Sequence, residues 1–167
     1  MIVVLALFLV CACGAPERSE PGRWLPAWQA VPSISASVPD QNVRTTVKLG
    51  AAGTSVRIRL SNLMSDEPVR IEHASVTANG DTRQLTFGDS RVVTVGPREE
   101  VYSDTVRLTV TKTLEINTYA PGGTPCQARA NRNLTSAGSY LCLVAGVEVA
   151  GFTAPGAVVM FGDSITE

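Results

Sequence analysis

Thr54-Ser55-Val56-Arg57-Ile58-Arg59-Leu60-Ser61 alternates without a break. Val56, Ile58 and Leu60 fall on one side, Arg57 and Arg59 on the other. A two-residue period with one apolar side is the pattern of a half-buried β-strand, not of a helix. Thr105 to Thr111 repeats it with Val106, Leu108 and Val110. Val92 to Val95, Leu114 to Tyr119 and Tyr140 to Val149 are rich in β-branched residues and read as further strands. Turn residues separate these runs: Gly50 and Gly53, Asp66-Glu67-Pro68, Asn79-Gly80-Asp81, Gly88-Asp89, Gly96-Pro97 and Pro121-Gly122-Gly123. Asn79-Gly80 is the strongest hairpin signal, because a two-residue type I′ turn needs positive φ at both positions. No stretch of this region carries a helical period. Short strands about ten residues apart predict an antiparallel β-sandwich, jelly-roll-like, over residues 40–153.

One strand candidate changes phase. Val69 and Ile71 are apolar at one parity, Ala74 and Val76 at the other. A β-bulge near His73 reconciles them. A catalytic role for His73 is the alternative, but nothing near it in sequence suggests a triad.

Composition narrows the function classes. The 167 residues carry 14 Lys+Arg against 15 Asp+Glu, a net charge of −1. A nucleic-acid binder should show a basic excess or stripe, so the balance argues against that class. Hydrophobic residues make up 44%, enough to build a core. His73 is the single histidine. That argues against a multi-histidine metal site, and it leaves few ways to assemble a Ser–His enzyme from these residues alone.

The N-terminal end reads as a targeting segment. Ile2 to Val10 is an unbroken apolar run. It is far shorter than the roughly 20 residues of a membrane-spanning helix, but it fits the h-region of a signal peptide. Val10-Cys11-Ala12-Cys13-Gly14 resembles a bacterial lipobox, in which the cysteine is lipidated. Ala12 before Cys13 fits that pattern better than Val10 before Cys11. An n-region without Lys or Arg departs from it and points to a start further upstream. The expectation is a signal peptide with lipobox over 1–13, lipidation at Cys13, and export to the cell envelope on a lipid anchor. Plain secretion is the alternative. Residues 14–39 hold Pro16, Pro21, Pro26, Pro32 and Pro39 and read as a tether. Trp24 and Trp28 interrupt it, and the expectation is that they lie down on the domain and bury apolar area. An exposed ligand platform is the alternative.

With Cys11 and Cys13 assigned to the leader, Cys126 and Cys142 remain. In an oxidising compartment they form a candidate disulfide. Closing a loop of about 15 residues stabilises by about 3 kcal/mol on the chain-entropy account. Two free thiols are the alternative. No CxxC occurs, so a zinc ribbon or redox motif is not supported. Asn133-Leu134-Thr135 matches a glycosylation sequon, by chance if the lipobox is bacterial.

The last residues introduce a different pattern. Ala157-Val158-Val159-Met160-Phe161 is continuously apolar, as in a strand buried on both faces of a parallel sheet. Gly162-Asp163-Ser164-Ile165-Thr166-Glu167 follows. A buried strand running into Gly-Asp-Ser is the shape of a nucleophile at a strand-to-helix turn. There, backbone N–H groups and the helix dipole stabilise an oxyanion. Ser164 as a helix N-cap, with Asp163 as a turn residue, is the structural alternative.

Phe161 to Thr166 resembles the first motif of the SGNH, or GDSL-type, esterases and lipases. The upstream β region is similar to the N-terminal β-sandwich of a bacterial subset of that family. The matching stretches are Val43-Arg44-Thr45, Val56 to Asn62, Leu85-Thr86-Phe87-Gly88, Val101-Tyr102-Ser103-Asp104 and Ala145 to Val149. The family pattern continues Asp-Gly after the threonine, where Glu167 stands here. It often carries a histidine near the position of Cys126. The resemblance implies that residues 157–167 begin an α/β, flavodoxin-like hydrolase domain. Ser164 would be the acyl nucleophile, its own N–H part of the oxyanion hole, and Gly162 and Asp163 would support the turn. The family's remaining oxyanion-hole residues and its late Asp-x-x-His match nothing in this sequence. The implied reaction is hydrolysis of a small-molecule, lipid or acylated-sugar ester, with no metal and no organic cofactor. The competing expectation is a non-catalytic β-sandwich lipoprotein that binds carbohydrate.

Overall fold

The computed structural model describes residues 23–30, 36–38, 42–127 and 141–152. Every regular element among them is a β-strand and every strand pairing is antiparallel. In chain order they are β1 (Leu25–Gln29), β2 (Ala36–Val38), β3 (Asn42–Lys48), β4 (Gly53–Ser61), β5 (Val69–Ile71), β6 (His73–Ala78) and β7 (Asp81–Gln84). They continue with β8 (Val93–Val95), β9 (Glu100–Tyr102), β10 (Val106–Val110), β11 (Thr113–Tyr119), β12 (Thr124–Gln127), β13 (Leu141–Cys142) and β14 (Val144–Ala150).

Two larger sheets carry most of the chain. The first has the order β1-β14-β4-β10, with β9 also on β4; the second is β3-β11-β6-β7. Smaller sheets are β13-β12-β2 and β5-β8. In the first sheet β4 is central. β14 flanks one side, with Val147 opposite Ile58 and Val149 opposite Val56. On the other side β10 pairs with its first half and β9 with its second. Ser103 bridges the gap between β9 and β10. Its hydroxyl accepts from the Ile58 N–H at 3.0 Å, and its own N–H donates to the Ile58 carbonyl at 2.9 Å. The ladder on β4 therefore stays hydrogen-bonded where its partner strand breaks.

Alternation places the core. Val56, Ile58 and Leu60 of β4 are all at 0% exposure. They join one apolar cluster with Val147 and Val149 of β14, Leu114 and Ile116 of β11, and Val76 of β6, so both larger sheets feed it. Each such side chain gains roughly 1.5–3 kcal/mol by leaving water. Gly53, at the start of β4, lies against β14. A Cβ there would sit 2.8 Å from both the Ala150 carbonyl oxygen and the Val149 Cβ, so only glycine permits the approach. The Asn79-Gly80 hairpin forms as read, with φ of 52° and 81° at its two central residues.

Three expectations change. The phase slip at residues 69–76 is not a bulge. Val69–Ile71 and His73–Ala78 are separate strands in different sheets, β5 against β8 and β6 against β11 and β7. Glu72 is the crossing residue, its N–H on the Tyr119 carbonyl at 3.0 Å. Each half buries its own apolar parity, so no extra residue has to be absorbed. Tyr140 to Val149 is likewise broken: Leu143 has φ 26°, and the two pieces join different sheets. The stretch expected as a tether over 14–39 contains β1, an edge strand on β14. Pro26 is tolerated there because an edge strand leaves one side of its ladder unused. Trp28 is 6% exposed within the main cluster, as the burial reading required.

Candidate functional site

Cys13, Gly162, Asp163, Ser164, the apolar run Ala157–Phe161 and the Asn133 sequon lie outside the described residues. Of the expected site residues, Cys126 and Cys142 fall on strands. Their backbone positions face each other across β12 and β13, and Cys142 is buried and disulfide-bonded. His73 is exposed at the start of β6, its ring 6.2 Å from that of Tyr119. Among the described residues no three His, Cys, Asp or Glu side chains converge as a metal site. No helix there is long and apolar enough to cross a membrane.

The most organised polar cluster is on the outward face of β4. Arg57 lies over the Trp24 ring at 4.5 Å and over the Tyr102 ring at 4.6 Å. Its Nε and Nη2 reach one oxygen of Glu148, Oε2, at 2.6 and 2.5 Å. The other oxygen, Oε1, accepts from the Tyr102 hydroxyl at 3.3 Å. Partial enclosure, and then the Glu148 charge, push the Tyr102 pKa above its ordinary value. Both disfavour a phenolate. Arg59 makes a forked contact to Glu100 at 3.1 and 3.2 Å, and it donates to the Ala145 carbonyl at 3.2 Å. Arg59 passes close to Gly146: a Cβ there would be 3.1 Å from its Nε.

The register explains the assembly. Glu148 is directly opposite Arg57, and Tyr102 directly opposite Arg59. β1 runs along the far side of β14, bringing Trp24 to the same face. Each guanidinium is matched by a carboxylate, and the cluster holds no nucleophile beside a free base. It brings Trp, Tyr and Arg together on one face, the residue types that recur at binding hot spots. The alternation of β4 marked Arg57 and Arg59 as outward. The signal left unread was Glu148, the one charge in an otherwise apolar run from Val144 to Ala150.

A second feature bears on the expected nucleophile. Phe-Gly-Asp-Ser occurs twice, at 87–90 and at 161–164. The first copy is a tight turn, with Gly88 and Asp89 at φ 59° and 65° and Phe87 bridged to Ser90. The Asp104 carboxylate holds it, accepting from Thr86 Oγ1 at 2.6 Å and from the N–H groups of Gly88 and Asp89 at 3.0 and 2.8 Å. These hydrogen bonds, the Thr86 one foremost, lower the Asp104 pKa. The Ser90 hydroxyl is spent on Val92, donating to its carbonyl at 2.7 Å and accepting from its N–H at 3.1 Å. The tetrapeptide alone therefore does not make a nucleophile.

No family model matches the chain, and no curated protein matches it significantly.

Proposed function

We propose that the chain is the N-terminal part of an exported SGNH-type serine esterase. In it, a jelly-roll-like β-sandwich precedes an α/β hydrolase domain that begins at Ala157. The carrying observation is the second Phe-Gly-Asp-Ser in its context. Ala157 to Phe161 is continuously apolar before it and Ile165-Thr166 follows. The first copy, which forms a turn, is instead preceded by Arg83-Gln84-Leu85-Thr86 and followed by Arg91-Val92. Two antiparallel sheets that share one core, ending in β14 just before that run, support the sandwich and its boundary.

On this reading Ser164 attacks the ester carbonyl, its backbone N–H helps hold the oxyanion, and an acyl-enzyme forms and is hydrolysed. A serine without its base is a weak nucleophile, so the 167 residues alone are inactive. The test is hydrolysis of a short-chain p-nitrophenyl ester. The protein extended beyond residue 167 turns over, and Ser164→Ala lowers kcat by at least about a thousandfold. Undiminished turnover by that variant overturns the assignment. Lipidation at Cys13 is read from incorporation of labelled fatty acid, which Cys13→Ala abolishes.

The second reading, a binding lipoprotein for carbohydrate, draws on the face formed by Trp24, Arg57 and Tyr102. Titration with oligosaccharides that quenches Trp24 fluorescence, in a protein without esterase activity, would favour it.

A further inference from the structure

We infer that Asn79-Gly80, at the tip of the β6–β7 hairpin, is a site of spontaneous deamidation, and that the reaction releases the hairpin from β10. The sequence holds Asn42, Asn62, Asn79, Asn117, Asn131 and Asn133, and of these only Asn79 precedes a glycine. The attacking atom is the backbone nitrogen of the following residue, so a residue without a side chain leaves the approach open. The fold keeps it open. Asn79 and Gly80 are both exposed, and a Cβ on Gly80 would meet nothing within 4 Å. The turn lies beyond Ala78 and Asp81, the last facing pair of the hairpin, and every residue of β7 is exposed at the sheet edge. The tip is a type I′ turn, with φ of 52° and 81°. The ring that forms brings the Gly80 nitrogen into one plane with Asn79 Cα and Cβ, which the torsions of that turn do not allow, so the tip must open first. An exposed edge that buries no apolar side chain of its own opens at low cost.

Water supplies everything else the chemistry needs. Hydroxide takes the Gly80 N–H proton, and the nitrogen attacks Asn79 Cγ. The N–Cγ bond forms, the Cγ–Nδ2 bond breaks, and Nδ2 leaves as ammonia with a proton taken from water. Water then opens the cyclic imide. Attack at Cγ leaves aspartate, and attack at the main-chain carbonyl leaves isoaspartate, whose backbone runs through Cβ. Neither step changes an oxidation state. The consequence lies in a contact between the larger sheets. Asn79 Nδ2 donates to the Thr109 carbonyl at 3.0 Å, joining the edge hairpin of one sheet to β10 of the other. Both products lose that donor, and an ionised carboxylate is an acceptor only, so it repels the carbonyl it faces. Isoaspartate also lengthens the main chain of a two-residue turn, which then no longer sets Ala78 opposite Asp81. The other described asparagines lack these conditions. Asn42 stands at the start of β3 before β-branched Val43. Asn62 is buried, with Nδ2 shared among three carbonyls. Asn117 lies within β11, paired to Arg44 on one side and Ser75 on the other.

The test is incubation of the 167-residue chain at neutral and mildly alkaline pH, followed by peptide mapping and detection of isoaspartate with an isoaspartyl methyltransferase. Deamidation is expected at Asn79, at least about tenfold faster than at Asn62 or Asn117, whose release needs the sheet itself to open. Its rate should rise in proportion to hydroxide. Asn79→Gln, whose longer side chain must close a larger ring, should abolish the modification at this position. Asn79→Asp makes one product directly. Its β7 amides should exchange several-fold faster than those of the parent, while the amides of β4 keep their rate. An Asn79 that survives in the folded chain overturns the inference, and its loss in urea would show that the fold shields the tip. Loss at Asn62 or Asn117 at the same rate overturns it as well, because the chemistry would then follow unfolding rather than the turn. Identical β7 exchange in Asn79→Asp and parent overturns the release from β10.

Discussion

The two sides of β4 are made by alternate residues of one strand, yet they hold by different physics. Inward, Val56, Ile58 and Leu60 are wholly buried in a cluster fed by both larger sheets. Outward, Arg57 and Arg59 are partly exposed and tied to Glu148 and Glu100 by charged hydrogen bonds. Apolar burial is non-directional and scales with area, so the inward side decides whether the chain folds. Ion pairs near water return little net energy, because desolvation and side-chain ordering offset the attraction. A network as ordered as the outward one is therefore weakly explained by stability.

The sharpest way to break the comparison is one truncation on each side. Ile58→Ala leaves a cavity in the shared core and should cost about 2–5 kcal/mol in urea unfolding. Arg57→Ala should cost about 1 kcal/mol or less in the same chain. Equal losses would mean that the outward network carries the fold as much as the core does.

Asn62 tests whether inwardness or polarity sets the effect. It follows Leu60 on the same parity and is buried. Its Nδ2 donates to the carbonyls of Glu67, Val95 and Gly96, at 2.8, 3.2 and 3.0 Å. Asn62→Ala strands those carbonyls and should cost about 1–3 kcal/mol. That value lies between the other two and is read from the same denaturant midpoints.

How far these sides could be read from residues alone follows the same division. The inward side of β4, and of β10 and β11, was legible because burial on one face writes a two-residue period into the chain. β7 was not: all four of its residues are exposed and it adds to the sheet edge through backbone pairing with β6. β1 was hidden by its proline density, which reads as linker until an edge position makes Pro26 acceptable. The sheet change at Glu72 resembled a bulge, because both devices shift the apolar parity and only the pairing partners tell them apart. The outward cluster escaped notice because it joins residues 24, 57, 102 and 148, which only strand register brings together. The expected nucleophile was legible as a motif, while its geometry depends on flanks and partners beyond the described residues.

The Arg57–Glu148 pair sharpens the outward side itself. Glu148→Gln and Arg57→Ala, alone and combined, should give a coupling of about 0.5–1.5 kcal/mol in unfolding experiments, smaller at high salt. A larger coupling that salt does not weaken would mean the pair is effectively buried in this chain without any partner.

Asp104 marks the lowest end of the scale, a polar contact near the surface. Its carboxylate holds the Phe87–Ser90 turn, and its folded pKa lies below the ordinary value of 3.8. A depressed folded pKa means that the unfolded chain binds the proton first as pH falls. The contribution is thus complete above about pH 5 and drains away through pH 4 and below, once protonation removes an acceptor from the Gly88 and Asp89 N–H groups. Asp104→Asn should therefore unfold slightly more easily at pH 7, and its stability should fall less steeply than that of the parent between pH 5 and pH 3. Amide exchange at Gly88 and Asp89 reads the effect locally, where the global midpoint barely moves. A variant with the parent's acid slope and unchanged exchange would mean that the turn is held by its own φ preferences, with Asp104 only resting on it.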